Sequence, residues 1–282
     1  MSEQIVYLNG EFLPLSEARI PVLDRGFIFG DGIYEVVPVY AGRPFRFTQH
    51  LQRLARNLQA IGIDNPFDES GWRGLVADLI SRHPWSDQFV YMQVTRGVAK
   101  RDHAFPKGIR PTVFAMSSEF IAPSREQREQ GVAAITLPDE RWLHCDIKSV
   151  SLLGNVLAKQ AAVEAGAAEC LMFRDGILTE GSSSNIWMVR HGKVVGSPVN
   201  HLVLEGIRVG LLADLCAASG IDYTLRRIAR EEVFAADELM LTSATREVLP
   251  ITRLDGKPVG DGRPGPVYQR LFNAYQDAKR AA

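Results

Sequence analysis

The sequence predicts two domains of roughly equal size, each mixing strands and helices: an α/β chain of the α+β type. Three observations point there. The 282 residues are 46% apolar, enough for a substantial core and long enough for two ordinary domains. Strand-like and helix-like stretches alternate in two series, separated by the polar segment EFIAPSREQREQG (119–131), with Pro123 and a run of charged and Gln residues. Neither a repeat nor a low-complexity tract breaks the pattern. The expected division is a first domain over 1–120, a linker over 121–126 and a second domain over 127–282.

The first series opens with strands. IVYLNGEFL carries Asn9-Gly10, a strong hairpin signal, and YEVVPVYAGRPFRF is expected to fold back at Ala41-Gly42. Thr48 is a plausible N-cap for a helix whose apolar residues fall at Leu51, Leu54, Leu58 and Ile61. A second helix is expected to bury Trp72, Leu75, Val76, Leu79 and Ile80. Strands then return in QFVYMQVTRG and RPTVFAMSS.

The second series reads as strand VAAITL, helix LLGNVLAKQAAVEAG and two strands joined at RDG (174–176). Helix GIRVGLLADLCAASG follows, ending at Gly220 as a C′ glycine. Strands YTLRRIA and ELMLTSA are expected to close the domain.

A net charge of −1, from 32 basic and 33 acidic residues, offers no electrostatic reason for nucleic acid or an anionic membrane as partner. No run of ~18 apolar residues suggests a membrane span, and the first residues lack a signal-peptide pattern. Cys145, Cys170 and Cys216 are odd in number and set in apolar runs, which suits buried thiols in a reducing, cytoplasmic setting.

Lys148, between Ile147 and the apolar Val150, Leu152 and Leu153, is expected at a strand-to-helix junction, where desolvation favours the neutral, nucleophilic amine. Taken alone, the stretch also fits an exposed loop lysine, the commoner case. Lys159 is expected on the outer face of its helix, away from Leu153, Val156 and Leu157. Glu180 precedes Gly181, Ser182, Ser183, Ser184 and Asn185, so a strand-end carboxylate for a heterocyclic nitrogen lies beside donors for an anion; a polar turn fits too.

Gly206, Ile207 and Arg208 at a helix start, and Ser243, Ala244 and Thr245 after a strand, are candidate phosphate cradles or simply capped ends. Neither is a Walker A or GxGxxG motif, and the histidines show no metal-ligand spacing. Arg101 and His103, two apart, would point the same way in extended chain and could grip one carboxylate; a solvated basic loop is the alternative.

In chain order these stretches resemble the fold-type IV pyridoxal-phosphate (PLP) enzymes, and within them the D-amino acid transaminases. The likeness runs through DRGFIFGDGIYEVVPVY (24–40), HLQRL (50–54), QVTRGVAKRDHAFP (93–106), CDIKSVSLLGNVLAKQ (145–160), TEGSSSNIW (179–187), LEGIR (204–208) and LTSATREVLP (241–250). It implies a homodimer in which Lys148 forms the Schiff base with PLP and then acts as base, while Glu180 pairs with the pyridine nitrogen. It further implies that Arg53, Ile207, Ser243 and Ala244 hold the phosphate, with Ser183, Ser184, Leu204 and Gly206 also lining the cofactor.

Arg208 departs from the threonine common at its position, so only its backbone N–H is carried over with the motif. Tyr34, Arg101 and His103 would trap the substrate carboxylate, the last two from the other subunit, with Tyr91 lining the pocket. The implied reaction transfers an amino group from a D-amino acid such as D-alanine to a 2-oxo acid such as 2-oxoglutarate. The alternatives are an aminodeoxychorismate lyase, a branched-chain L-amino acid transaminase and, in another class, a non-catalytic PLP-binding protein.

Overall fold

A computed structural model describes residues 3–281. The chain forms two compact units: residues up to Ile121 together with Ile147–Ser151, and Ala122–Asp146 together with Leu152 onward. The five residues around Lys148 therefore group with the first unit.

Among the described residues, the first unit holds a six-stranded antiparallel sheet in the order β2-β1-β6-β5-β3-β4. Its strands are β1 (Ile5–Leu8), β2 (Glu11–Pro14), β3 (Gly32–Tyr40), β4 (Arg43–Pro44), β5 (Gln88–Thr95) and β6 (Thr112–Glu119). Both expected turns form, with positive φ at Asn9, Gly10, Ala41 and Gly42. Helices α2 (Phe47–Ala60) and α3 (Glu69–Ser81) cover one face and bury Leu51, Leu54, Leu58, Trp72, Val76 and Leu79 against Ile33, Val37, Val90 and Met92. Ile80 is only half-buried.

Two details differ from expectation. The cap of α2 is Arg46, in the left-handed region at φ 57°, not Thr48, because the chain turns sharply after Phe45 to bury Phe47. A five-residue helix, α1 (Arg25–Phe29), also interrupts the opening strands; Asp24 caps it by accepting from the Gly26 N–H at 2.8 Å.

The second unit is built on a nine-stranded mixed sheet of the described residues, ordered β12-β11-β10-β13-β14-β7-β8-β9, with β15 paired to β14. Its strands are β7 (Val132–Pro138), β8 (Glu169–Arg174), β9 (Ile177–Gly181), β10 (Asn185–Arg190), β11 (Lys193–Gly196), β12 (Tyr223–Leu225), β13 (Glu238–Ser243), β14 (Glu247–Leu254) and β15 (Lys257–Pro258). Helices α4 (Arg125–Gln130), α5 (Leu153–Glu164), α6 (Ile207–Ala218), α7 (Arg230–Phe234) and α8 (Pro266–Ala281) complete it. The polar segment is thus helical over 125–130, opened by a Ser124–Gln127 capping box. Gly220 takes φ 61° just past α6, as its C′ role requires. β13 does not close the unit, since β14, β15 and α8 follow it. The three cysteines are buried free thiols, and burial pushes each up to about 11.

Helix α5 reverses the expected sidedness. Its small residues Ala158 and Ala162 pack on β7 and β8, where they let the helix lie close to the sheet. Leu153 (71% exposed), Val156 and Leu157 face outward instead. Lys159 is half-buried, and its ammonium donates to the Ala168 carbonyl. Bulk misled here: close packing against a sheet selects small side chains, and the larger apolar ones are left for the other face. Among the described residues no helix is long and apolar enough to cross a membrane.

Candidate active site

The site residues of the first unit are arranged by β3. Alternation along a strand sends Ile33, Glu35 and Val37 to the helix-covered face and Tyr34 and Val36 to the other. Lys148 lies in an irregular segment strapped along the start of this strand. Its carbonyl accepts from the Tyr34 N–H at 3.0 Å, and the Val150 N–H donates to the Gly32 carbonyl at 3.0 Å. Lys148 is half-buried, and its amine lies 4.1 Å from the centroid of the Tyr34 ring. Tyr91, on β5, stacks on Tyr34 at 5.5 Å and donates its hydroxyl to Gln93 at 2.6 Å. Burial first, and then neighbouring Tyr34, push the Tyr91 phenol above its ordinary range. Lys148, Tyr34 and Tyr91 therefore stand in one row.

Behind the row, Glu35 is fully buried and binds Arg53 of α2 by both oxygens, at 2.7 and 2.8 Å. His50 Nδ1 is 2.7 Å from the same carboxylate. Burial alone would raise the Glu35 pKa, but the charge and hydrogen bonds of Arg53, with those of His50, hold it at about 2. Arg53 is thus fixed in plane by an ion pair that its sequence motif did not disclose. Arg101 and His103 lie in the irregular loop between β5 and β6, and both are exposed. Neither sits on a strand, so the two-residue spacing does not align them; both instead rest on the Phe29 ring.

In the second unit Glu180, 5% exposed on β9, takes the Arg141 guanidinium at 2.5 Å. The Leu204 N–H reaches both its oxygens at 3.3 Å, and Asn185 Nδ2 lies at 3.5 Å. Arg141 is shared, because it also makes a 2.9 Å pair with Asp139. Burial pushes Glu180 up to about 7; Arg141 and Leu204 lower it, and Asp139 raises it further.

The loop after β9 is ordered from within. Ser182, Ser183 and Ser184 all direct their hydroxyls to the buried Glu169, Ser183 at 3.3 Å and Ser184 at 2.8 Å. Helix α6 begins at Gly206, which brings no side chain to its first turn; a Cβ there would come within 2.0 Å of Asn185 Oδ1. Ile207 is the first helical residue, and Arg208 is buried with its guanidinium 5.7 Å from the Tyr275 ring. Ser243 ends β13, where its hydroxyl accepts from the Arg246 N–H at 3.0 Å, and half-buried Ala244 opens the turn.

Residues 32–254 match the class IV amino-transferase family. The chain belongs to this family. This class IV aminotransferase is 40% identical over 273 residues to the D-alanine aminotransferase of Bacillus licheniformis, covering 97% of this chain and 96% of that one. Its fold is similar to the branched-chain amino acid aminotransferase of Escherichia coli, with a TM-score of 0.92 at 23% identity over 98% of this chain and 94% of that one. A T.th. branched-chain amino acid aminotransferase with pyridoxamine 5′-phosphate gives 0.91 at 24% identity, over 100% of this chain and 95% of that one.

Several partners escaped sequence reasoning. Glu35 left a signal, a lone acid among apolar residues at core parity between Ile33 and Val37. Arg141 and Glu169 left none, being 39 residues from Glu180 and 13 to 15 from the serines they organise.

Proposed function

We propose that this class IV aminotransferase moves the amino group of a D-amino acid, such as D-alanine, to a 2-oxo acid, such as 2-oxoglutarate, with pyridoxal 5′-phosphate as cofactor. The observation that carries the reading is Lys148, a half-buried residue whose backbone is pinned to β3 and whose side-chain nitrogen rests on Tyr34. The full-length likeness to a D-alanine aminotransferase supports the substrate class and its hand.

The residues fit that cofactor. An amine for an aldehyde, a buried carboxylate for a protonated ring nitrogen and a helix start with no capping side chain for a phosphate are all present, at Lys148, Glu180 and Gly206-Ile207. When bound, PLP supplies an electron-accepting ring that stabilises negative charge at the substrate Cα. Lys148 would hold the cofactor covalently, and its amine would carry the proton to and from the substrate Cα. Glu180, held by Arg141, keeps the ring nitrogen protonated.

The Ile207 N–H, Ser243, Ala244 and the Arg53 guanidinium hold the phosphate. Tyr34, Arg101 and His103 hold the substrate carboxylate, and Tyr91 lines the pocket. The outward apolar face of α5 supports a homodimer, in which Arg101 and His103 serve the other subunit. Three reduced, buried cysteines suit the cytoplasm.

Purified protein is expected to be yellow and to bleach on addition of D-alanine. Bleaching by L-leucine but not by D-alanine would overturn the stereochemical assignment. Borohydride reduction and peptide mapping should place the label on Lys148; a label elsewhere would remove the catalytic reading.

A further inference from the structure

The DRGFIFGD stretch has no role in the chemistry above, yet its side chains meet the loop that does. Arg25, only 3% exposed, spans two partners. Its Nε donates to Asp31 at 2.7 Å. Its other nitrogens face three consecutive backbone carbonyls: Asp102 at 2.5 Å, and His103 and Ala104 at 3.4 Å each. Asp31 is braced from the far side by Arg96, at 2.7 and 3.0 Å. Arg96 also donates to the Ile61 and Gly62 carbonyls and lies 3.6 Å from the centroid of the Phe105 ring.

Phe29 supplies the remaining wall. Its ring centroid is 4.7 Å from the Arg25 guanidinium, 5.3 Å from that of Arg101 and 5.4 Å from the His103 ring. Backbone bonds join the same two segments, from the Arg25 N–H to the Gly97 carbonyl at 2.9 Å and from the Ala99 N–H to the Leu23 carbonyl at 3.3 Å.

We infer that Arg25, Phe29 and Asp31 are positioning residues: they form a cradle that sets the backbone and side chains of Arg101 and His103 for a substrate carboxylate. The inference rests on the carboxylate-trap reading of those two residues. Arg101 to Ala104 are all exposed and form neither helix nor strand, so no regular element orders them. A planar guanidinium with five donors can serve a carboxylate and several carbonyls at once; a lysine ammonium cannot match that fork. Ordering the loop beforehand removes an entropic cost from substrate binding and leaves the chemical step alone. The cradle should therefore govern KM for carboxylate-bearing donors and leave kcat nearly unchanged.

The test compares the holoenzyme with Arg25→Lys, Phe29→Leu and Arg101→Ala, using D-alanine and the carboxylate-free D-alaninol as donors. Arg25→Lys is expected to raise KM for D-alanine about tenfold, with kcat and the bleaching rate by D-alaninol within about twofold of the parent. Phe29→Leu leaves the buried ion pairs intact and should raise the same KM roughly threefold, which keeps the inference testable if Arg25→Lys fails to fold. Amide hydrogen exchange over residues 98–106 should quicken in Arg25→Lys with the core unchanged.

A purely structural role would lower kcat with both donors together and leave KM alone, and that result overturns the cradle. If Arg101→Ala raises KM while neither cradle variant does, the cradle fails and the trap stands. If Arg101→Ala leaves KM unchanged, the trap reading fails and the cradle falls with it.

Discussion

Two buried glutamates, one in each unit, meet an arginine and titrate at opposite ends of the carboxylate range. Glu35 is held at about 2 and Glu180 is raised to about 7, although desolvation is the largest influence on both and acts upward on both. The difference lies in how the arginine is divided. Arg53 meets Glu35 with two nitrogens, and His50 adds a third contact. Arg141 offers Glu180 one nitrogen and turns the others to Asp139, whose own negative charge works against ionisation of Glu180. A buried ion pair is therefore no guide to protonation until the whole charge count is made. Glu35 serves to hold a cation still; Glu180 remains poised for a proton.

The largest expected effect comes from removing the poised carboxylate. Glu180→Gln should lower turnover of D-alanine by roughly 10²- to 10³-fold, the scale of losing one aimed electrostatic group. Its melting temperature at pH 8 should be unchanged or higher, since a costly buried charge is gone. A variant with full activity would place Glu180 outside the chemistry.

Glu35→Gln should act in the other sense, costing about 3–5 kcal/mol of stability by leaving Arg53 with half a partner, as read by urea unfolding. An unperturbed unfolding midpoint would show that Arg53 does not depend on this pair.

The two groups also give opposite pH limbs in the stability of the cofactor-free protein. Glu35 has a folded pKa of about 2 against an ordinary 4.5, so its contribution of about 3 kcal/mol is present above pH 4.5 and is lost as pH falls through 2. Glu180 has a folded pKa of about 7, so its contribution is present below pH 4.5 and about 3 kcal/mol is lost as pH rises through 7. Urea titrations from pH 3 to pH 8 should lose the neutral limb in Glu180→Gln alone. Persistence of that limb would assign it to another group.

The smallest expected effect is at Asp139. Asp139→Asn removes the competing charge, so the midpoint of the neutral limb should fall by about one pH unit, each unit being worth about 1.4 kcal/mol. An unmoved midpoint would mean that Asp139 does not set the Glu180 proton affinity.

Strands and turns with local causes were legible in the residues alone: the Asn9-Gly10 and Ala41-Gly42 hairpins, the alternation that buries one face of β5, and the Gly220 stop of α6. The motifs in order also named the family to which the chain belongs. The sidedness of α5 was decided only by packing, because the sheet selected Ala158 and Ala162 over the bulkier Leu153 and Val156. The burial that gives Glu180 its proton affinity, the Glu169 clasp on the serines and the Arg25 cradle under residues 102–104 likewise needed the folded chain. Each couples groups 13 to 79 positions apart, and charge–charge distances across such spans exist only once the chain is folded.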